Sequence, residues 1–370
     1  MKSRSSVYFP TGGSLNSAYA LINRRWMDGL ESTGRFVVST GDERPARPDY
    51  VIHHNFESNF REFEGPPGAV CILVRPWDFG PYPPAWVEAI HARFEQLWVP
   101  SRWSAHHAVA GGVDPDRVRV IPLGVDELIY RPEGDRSDLP TRASFRFLFV
   151  GGVSVRKGSD ILLAAYRQAF SAGDDVCLVI KDHSGDVFYR RETIRSQVRH
   201  QASDPEAPEI LFVDEFLPEH RLAALVRACD AGVFPYRAEG FCLPILEMMA
   251  SGIPSIVPDF GACLDFCSDT TSFLTPARRV SLPVSGGFTF GLGFTEIVDE
   301  VDFCEMSIDE LASQLRRVRE ADPVELESKA RAGVRVAHST FTWKHSVDAV
   351  LSNLASAGMR PRSARPSSPS

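Results

Sequence analysis

The chain has 370 residues, 44% of them hydrophobic and 24% charged, with a formal net charge of -8. This is the composition of a soluble globular protein of two or three domains, and its negative balance removes the electrostatic reason to expect nucleic acid or an anionic membrane as partner. No apolar run approaches the roughly 18 residues of a membrane span, Met1 to Ser6 lacks the apolar core of a signal peptide, and the seven scattered cysteines read as buried free thiols of a reducing cytoplasm.

Val7 to Phe9 reads as a strand. Pro10-Thr11-Gly12-Gly13-Ser14 is a turn-rich loop, and helical periodicity runs from Leu15 to Leu30. Strand, paired glycines and helix suit a ligand-facing turn of an α/β sheet or a tight connection only, because the third glycine of a dinucleotide fingerprint is missing. Further strands are expected at Arg35 to Ser39, Tyr50 to His54 and Ala69 to Val74. His53 and His54 stand where a strand ends, the place where α/β sites gather, although a hydrogen-bonded structural histidine is the commoner case. Arg75-Pro76-Trp77-Asp78-Phe79-Gly80 is a mixed charged and aromatic loop. A helix opens near Pro83, Gln96 to Pro100 is a strand, Ser101 suits the cap of the next helix, and Val118 to Val125 closes this half. The polar stretch from Arg131 to Ser144, with Pro132, Gly134 and Pro140, reads as an interdomain linker.

Phe145 to Val150 restarts the alternation. The glycine loop Gly151 to Gly158 carries Arg156 and Lys157, which suit phosphate oxygens; two solvated cations are the plainer alternative, and no Ser or Thr follows Lys157 as in a P-loop. Ser159 reads as the cap of a helix from Asp160 to Phe170. Strands recur at Val176 to Ile180, Ile210 to Val213, Ala231 to Phe234 and Ile253 to Val257, which argues for a mainly parallel sheet covered on both faces. From Glu239 to Gly252 a tight loop runs into a short helix, with Pro244 in its first turn, Gly252 just past its end and Pro254 beyond. Strand, glycine turn and helix collect backbone N–H groups and the positive end of a helix dipole at one spot, a ready anion site. Glu239 and Glu247 frame it. A ligand suited to both features carries a phosphate for the helix end and hydroxyls for the acids, as a nucleotide sugar does; an ordinary helix end with dipole-favoured acids fits these residues equally. Ser281 to Thr295 reads as an irregular insertion, Ile308 to Arg319 and Val324 to His338 as amphipathic helices, Phe341-Thr342-Trp343 as the start of a last helix reaching about Leu354, and the Arg, Pro and Ser tail from Ala357 as disordered.

Taken in order, four of these segments make the chain resemble the family 4 retaining glycosyltransferases (glycosyl transferases group 1). They are Val120 to Asp126, Phe149 to Gly158, the glutamate pair Glu239 and Glu247 with Gly-Phe and Leu-Pro between, and Phe341 to Trp343. The resemblance implies an α/β GT-B fold: two Rossmann-like domains facing across a cleft, the acceptor domain at 1–135, the donor domain at 136–340, a closing helix at 341–356 crossing back to the first domain, and a tail at 357–370. It further implies that Lys157, helped by Arg156, holds a diphosphate. Glu239 would contact the transferred sugar, Gly240, Phe241, Cys242 and Leu243 would offer backbone N–H groups, Glu247 would bind the ribose diol, and Val213 to Glu215 would lie near the base. No metal and no cofactor are expected beyond the nucleotide-sugar donor. Three departures from the family pattern stand out. Gly152 occupies a position usually held by Arg, Cys242 one usually held by Gly, and no histidine follows Val74, leaving Asp78, Arg75 or His54 for that role. Gly12 and Gly13 belong to the acceptor-side loops.

The expected activity is therefore sugar transfer from a nucleoside-diphosphate sugar to a small-molecule, glycan or lipid-linked acceptor, without nucleic acid or an integral membrane segment. The alternatives are an epimerase or phosphorylase of the same fold, which would not need an acceptor to release nucleoside diphosphate, and a regulatory subunit that binds the donor without turning it over.

Overall fold

The computed structural model describes residues 4–11, 18–41, 43–54, 58–182, 194–283 and 300–359. The chain divides into two compact units, 1–124 with 343–370, and 125–342.

The first unit runs β1 (Ser5–Phe9), α1 (Ala18–Ser32), β2 (Phe36–Thr40), β3 (Tyr50–His53), β4 (Val70–Val74), α2 (Pro84–Arg93), β5 (Gln96–Val99), α3 (Arg102–Ala110) and β6 (Val118–Val120). All its strands pair in parallel, in the order β2-β1-β3-β4-β5-β6. β4 and β5 are buried along their whole length, as expected of central parallel strands covered on both faces. Ser101 caps α3 as its sequence position suggests, accepting from the Ser104 N–H.

The second unit runs β7 (Phe145–Val150), α4 (Ser159–Ala169), β8 (Val176–Lys181), α5 (Ile194–Ala202), β9 (Glu209–Val213), α6 (Glu219–Arg227), β10 (Ala231–Val233), α7 (Leu243–Ala250), β11 (Ser255–Pro258), β12 (Phe273–Thr275), β13 (Arg278–Pro283), β14 (Glu300–Glu305), α8 (Ile308–Arg319) and α9 (Pro323–Thr340). Its six-stranded parallel sheet has the order β12-β11-β10-β7-β8-β9. Phe147, Phe149, Leu178 and Ile180 fill its core together with Ile161 and Leu162 of α4 and Leu311 and Leu315 of α8. The last helix, α10 (Trp343–Met359), belongs to the first unit, where the Trp26 indole N–H donates to Ser346 Oγ at 2.9 Å.

Three local expectations change. Residues 131–144 do not link; they pack on the second unit, where Arg227 donates to the carbonyls of Ile129 and Asp135 and the Ser137 N–H reaches the Ala224 carbonyl. Ser159 is the first residue of α4 rather than its cap. Gly158 caps it with φ 73°, and the Ser159 hydroxyl turns back to accept from the Ser154 N–H. Ser281, assigned to an irregular insertion, sits in β13, which pairs antiparallel with β14; the alternation Val301, Asp302, Phe303 was hidden by the Gly- and Phe-rich composition before it. Most of that insertion, 284–295, lies outside the described residues, as do Gly12, Gly13 and the tail from residue 360.

Candidate active site

In the second sheet the chain leaves β7 in one direction and β10 in the other, so the loops after these neighbouring strands emerge side by side at their carboxyl ends. This is the switch point where open α/β sheets leave a crevice. The loop after β7 is Gly151 to Gly158; the loop after β10 is Phe234 to Cys242. They are locked together. A Cβ added at Gly158 would lie 1.9 Å from the Pro235 carbonyl oxygen, so only glycine permits the approach. The Arg237 N–H donates to the Arg156 carbonyl at 2.8 Å. The Arg237 guanidinium spans Asp160 and Glu305 and reaches the Val155 carbonyl. Tyr236 donates its hydroxyl to the Phe260 carbonyl and to Cys263 Sγ, while its own carbonyl accepts from the Cys304 thiol.

That scaffold presents one charged cluster. Arg156 Nη1 lies 3.0 Å from Glu239 Oε1 and donates to the Ala238 carbonyl, and Lys157 Nζ pairs with the same Glu239 oxygen. Arg156 and Glu239 are each 8% exposed, so the charges meet in a place where water screens them weakly. Burial raises the Glu239 pKa, but Lys157 first and then Arg156 outweigh it, and the carboxyl titrates below its ordinary value. Arg156 thus places a cation in the same loop as Gly152, which offers none.

Glu239 leads straight into the start of α7. Cys242 caps that helix at φ 65°, the left-handed region, and is the only non-glycine residue there among the described residues. Strain of this kind gathers at functional sites. Phe241 is held from behind by Phe266, ring centroids 5.2 Å apart. At the far end, the Ile253 and Gly252 N–H groups return to the Met248 and Met249 carbonyls, the closure that the Gly252 and Pro254 signals imply. Glu247 keeps other company. Burial pushes its pKa up to about 8; the Tyr130 hydroxyl opposes this and the Glu219 charge adds to it.

The first unit gathers a second set at the ends of β3 and β4. Thr11 Oγ1 donates to the His54 carbonyl at 2.6 Å, and His54 Nδ1 lies 2.7 Å from Asn23 Oδ1, with Tyr19 and Trp26 packed on its ring. Burial, reinforced by the Arg75 charge, lowers His53 to about 4 and His54 to about 3, so both rings are neutral near pH 7. His54 is thus buried, hydrogen-bonded and neutral near pH 7. The buried Arg75 guanidinium stacks 4.3 Å from the Trp86 ring, and Tyr82 donates to the Arg75 carbonyl. Asp78 is half-buried in the loop beyond.

The structure therefore brings Arg156, Lys157 and Glu239 together and sets Gly240 to Leu243 beside them. Asp78 belongs to the other unit. Three residues escaped the sequence reading: Arg237, Tyr130 and Asp182. Only Asp182 carried a signal, its place just after a strand end.

Residues 144–281 match the family model described as Glycosyl transferases group 1. The second unit carries a domain of that family. The chain is 31% identical over 208 residues to a D-inositol 3-phosphate glycosyltransferase 1 of Catenulispora acidiphila, 52% of this chain and 49% of the relative. It is 29% identical over 173 residues to a D-inositol 3-phosphate glycosyltransferase of Acidothermus cellulolyticus, 44% and 38% of the two chains. The chain thus spans about half the length of the curated relatives it matches, or less. Among solved structures, a glycosyltransferase of Rickettsia africae superposes with a TM-score of 0.70 at 11% identity, over 97% of this chain and 100% of that one. Sucrose-phosphate synthase of Thermosynechococcus elongatus gives 0.70 at 15%, over 96% and 100%. Anabaena HepE in complex with UDP and glucose gives 0.63 at 14%, over 96% and 100%. At these identities the likeness is one of fold: α/β with two Rossmann-like units, the GT-B class. Among the described residues no helix is long and apolar enough to cross a membrane.

Proposed function

We propose that this chain is a family 4 glycosyltransferase that moves a sugar from a nucleoside-diphosphate sugar to an acceptor hydroxyl, with retention at the anomeric carbon and without a metal ion. The observation that carries the proposal is the single Glu239 oxygen held by both Arg156 and Lys157 at the switch point of the group 1 unit. A diphosphate seated between these cations and the start of α7 has its departing charge met by groups already in place, usually the largest contribution to such catalysis. Glu239 then bonds the hydroxyls of the transferred sugar. Glu247, protonated at neutral pH, both donates to and accepts from a ribose diol. The backbone of Gly240, Phe241, Cys242 and Leu243 faces sugar and phosphate. The acceptor is assigned to the first unit, with Asp78 in the place of the family's histidine. The relatives' name supports sugar transfer, and the UDP held by the Anabaena neighbour supports this class of donor. Seven free and buried thiols suit a reducing compartment, and the cytoplasm is the one we propose.

The test is a thermal-shift panel of uridine, guanosine, adenosine and thymidine diphosphates and their sugars. One nucleoside diphosphate should raise Tm, and its sugar should release that nucleotide only when an acceptor hydroxyl is supplied. A panel with no shift refutes the proposal; release without acceptor points to an epimerase or phosphorylase.

A further inference from the structure

Asp182 follows the last residue of β8 and is completely buried. It stands one strand over from β7, whose loop carries Arg156 and Lys157. That loop begins with Gly151 and Gly152, which have no side chains to fix their conformation, and Gly151 adopts φ 153°. What holds the turn comes from the end of β8. The Gly151 N–H donates to the Lys181 carbonyl at 3.0 Å, and the Val153 N–H donates to Asp182 Oδ1 at 3.1 Å. The Asp182 N–H donates in turn to the Val213 carbonyl at 2.9 Å, fixing the carboxylate's own position. Its second oxygen faces Arg195 Nε at 2.9 Å, and Arg195 continues to Asp214, which also pairs with Arg199. Phe212 lies under both guanidinium groups. A buried ion pair is weak evidence for stability, because apolar groups of the same volume often do as well; here the buried charge is spent on a backbone N–H of a glycine turn.

We infer that Asp182, backed by Arg195, is a positioning residue for the donor diphosphate: it fixes the Gly151 to Val153 turn so that Arg156 and Lys157 arrive at the switch point with their geometry set. Asp182 itself touches no ligand. The inference rests on the function proposed above, whose diphosphate those cations receive. A turn released by even about 1 Å misplaces both cations, and such errors are costly in rate and binding.

Calorimetry with the panel's best nucleoside diphosphate tests it. Wild type should bind. Asp182→Ala, shown folded by circular dichroism, should bind about tenfold more weakly, the effect of one charge-assisted hydrogen bond. Asp182→Asn keeps an oxygen for the Val153 N–H and should recover most of that loss, which a general loss of stability would not do. Failure of wild type to bind any nucleoside diphosphate removes the proposed function and this inference with it. Wild-type binding with Asp182→Ala within about twofold removes this inference alone. If Asp182→Ala does not fold, Arg195→Met decides: a loss of about threefold or more upholds the role, and unchanged affinity overturns it.

Discussion

The two glutamates that bracket the start of α7 have opposite protonation at neutral pH, and burial alone does not explain the difference. Both are less than a tenth exposed. Glu239 has two cations on one oxygen and stays ionised; Glu247 is pushed up to about 8 by burial, with the Glu219 charge adding to it and the Tyr130 hydroxyl opposing. The roles proposed for them follow from this contrast. Lys157→Ala and Glu239→Ala should each lower kcat/KM by about a hundredfold or more, because each removes a preorganised group at the reacting centre, while circular dichroism shows the fold retained. Near-normal turnover in either variant would overturn the assignment. Glu247 also predicts a pH effect on stability. Its folded pKa lies above the unfolded value, so the folded state holds the extra proton in between. The stability this contributes is complete below the unfolded pKa and is lost as pH rises through about 8. Wild type should therefore lose more stability between about pH 5 and pH 9 than Glu247→Gln, by on the order of a few kcal/mol, and its Tm should fall further. Parallel Tm curves for the two proteins would show that Glu247 is not buried in this way.

Among the elements, the two loops at the switch point matter more than the helices they feed. α7 is eight residues long, and its value lies in where β10 and the Pro235 to Cys242 segment aim it. The approach of Gly158 to the Pro235 carbonyl leaves no room for a side chain between the loops, at a left-handed φ of 73°. Gly158→Ala asks for both a strained backbone and a retreat of main chain from main chain. It should cost about 2 kcal/mol or more in urea unfolding and lower donor affinity as well, since the loop that shifts carries Lys157. An alanine variant as stable as wild type would mean the loops are not locked at this point. Gly158 was legible in the sequence as part of a glycine loop, but the reason for it was not: the atom that excludes a side chain lies 77 residues further along the chain.

For the molecule as a whole, the first unit is completed by the last helix of the chain. α10 packs on α1, placing Val347 where a Cβ on Gly29 would lie 2.4 Å from it and burying Val350 and Leu354. The Tyr50 hydroxyl donates to the Leu354 carbonyl, joining the sheet to the same helix. A chain stopped after Thr342 should therefore lose structure in the first unit. Trp26, 1% exposed and bonded to Ser346, should show red-shifted fluorescence, and the thermal transition should fall. Unchanged emission and an unchanged transition would show that the helix is dispensable.

The sequence by itself determined the alternation of strand and helix, the parallel character of the second unit's main sheet, the ends of α7, and the identity of the charged residues at the site. Each of these follows from hydrophobic period, from the φ limits of Gly and Pro, or from side-chain chemistry, all of which act locally. It did not determine that Arg156 closes on Glu239, that Glu247 is uncharged, that β13 and β14 pair, or that Asp182 secures the glycine turn. Those depend on which residues distant in the chain meet in a medium of low dielectric, where the two cations outweigh burial at Glu239 and burial wins at Glu247. Only the tertiary structure settles which neighbour is present.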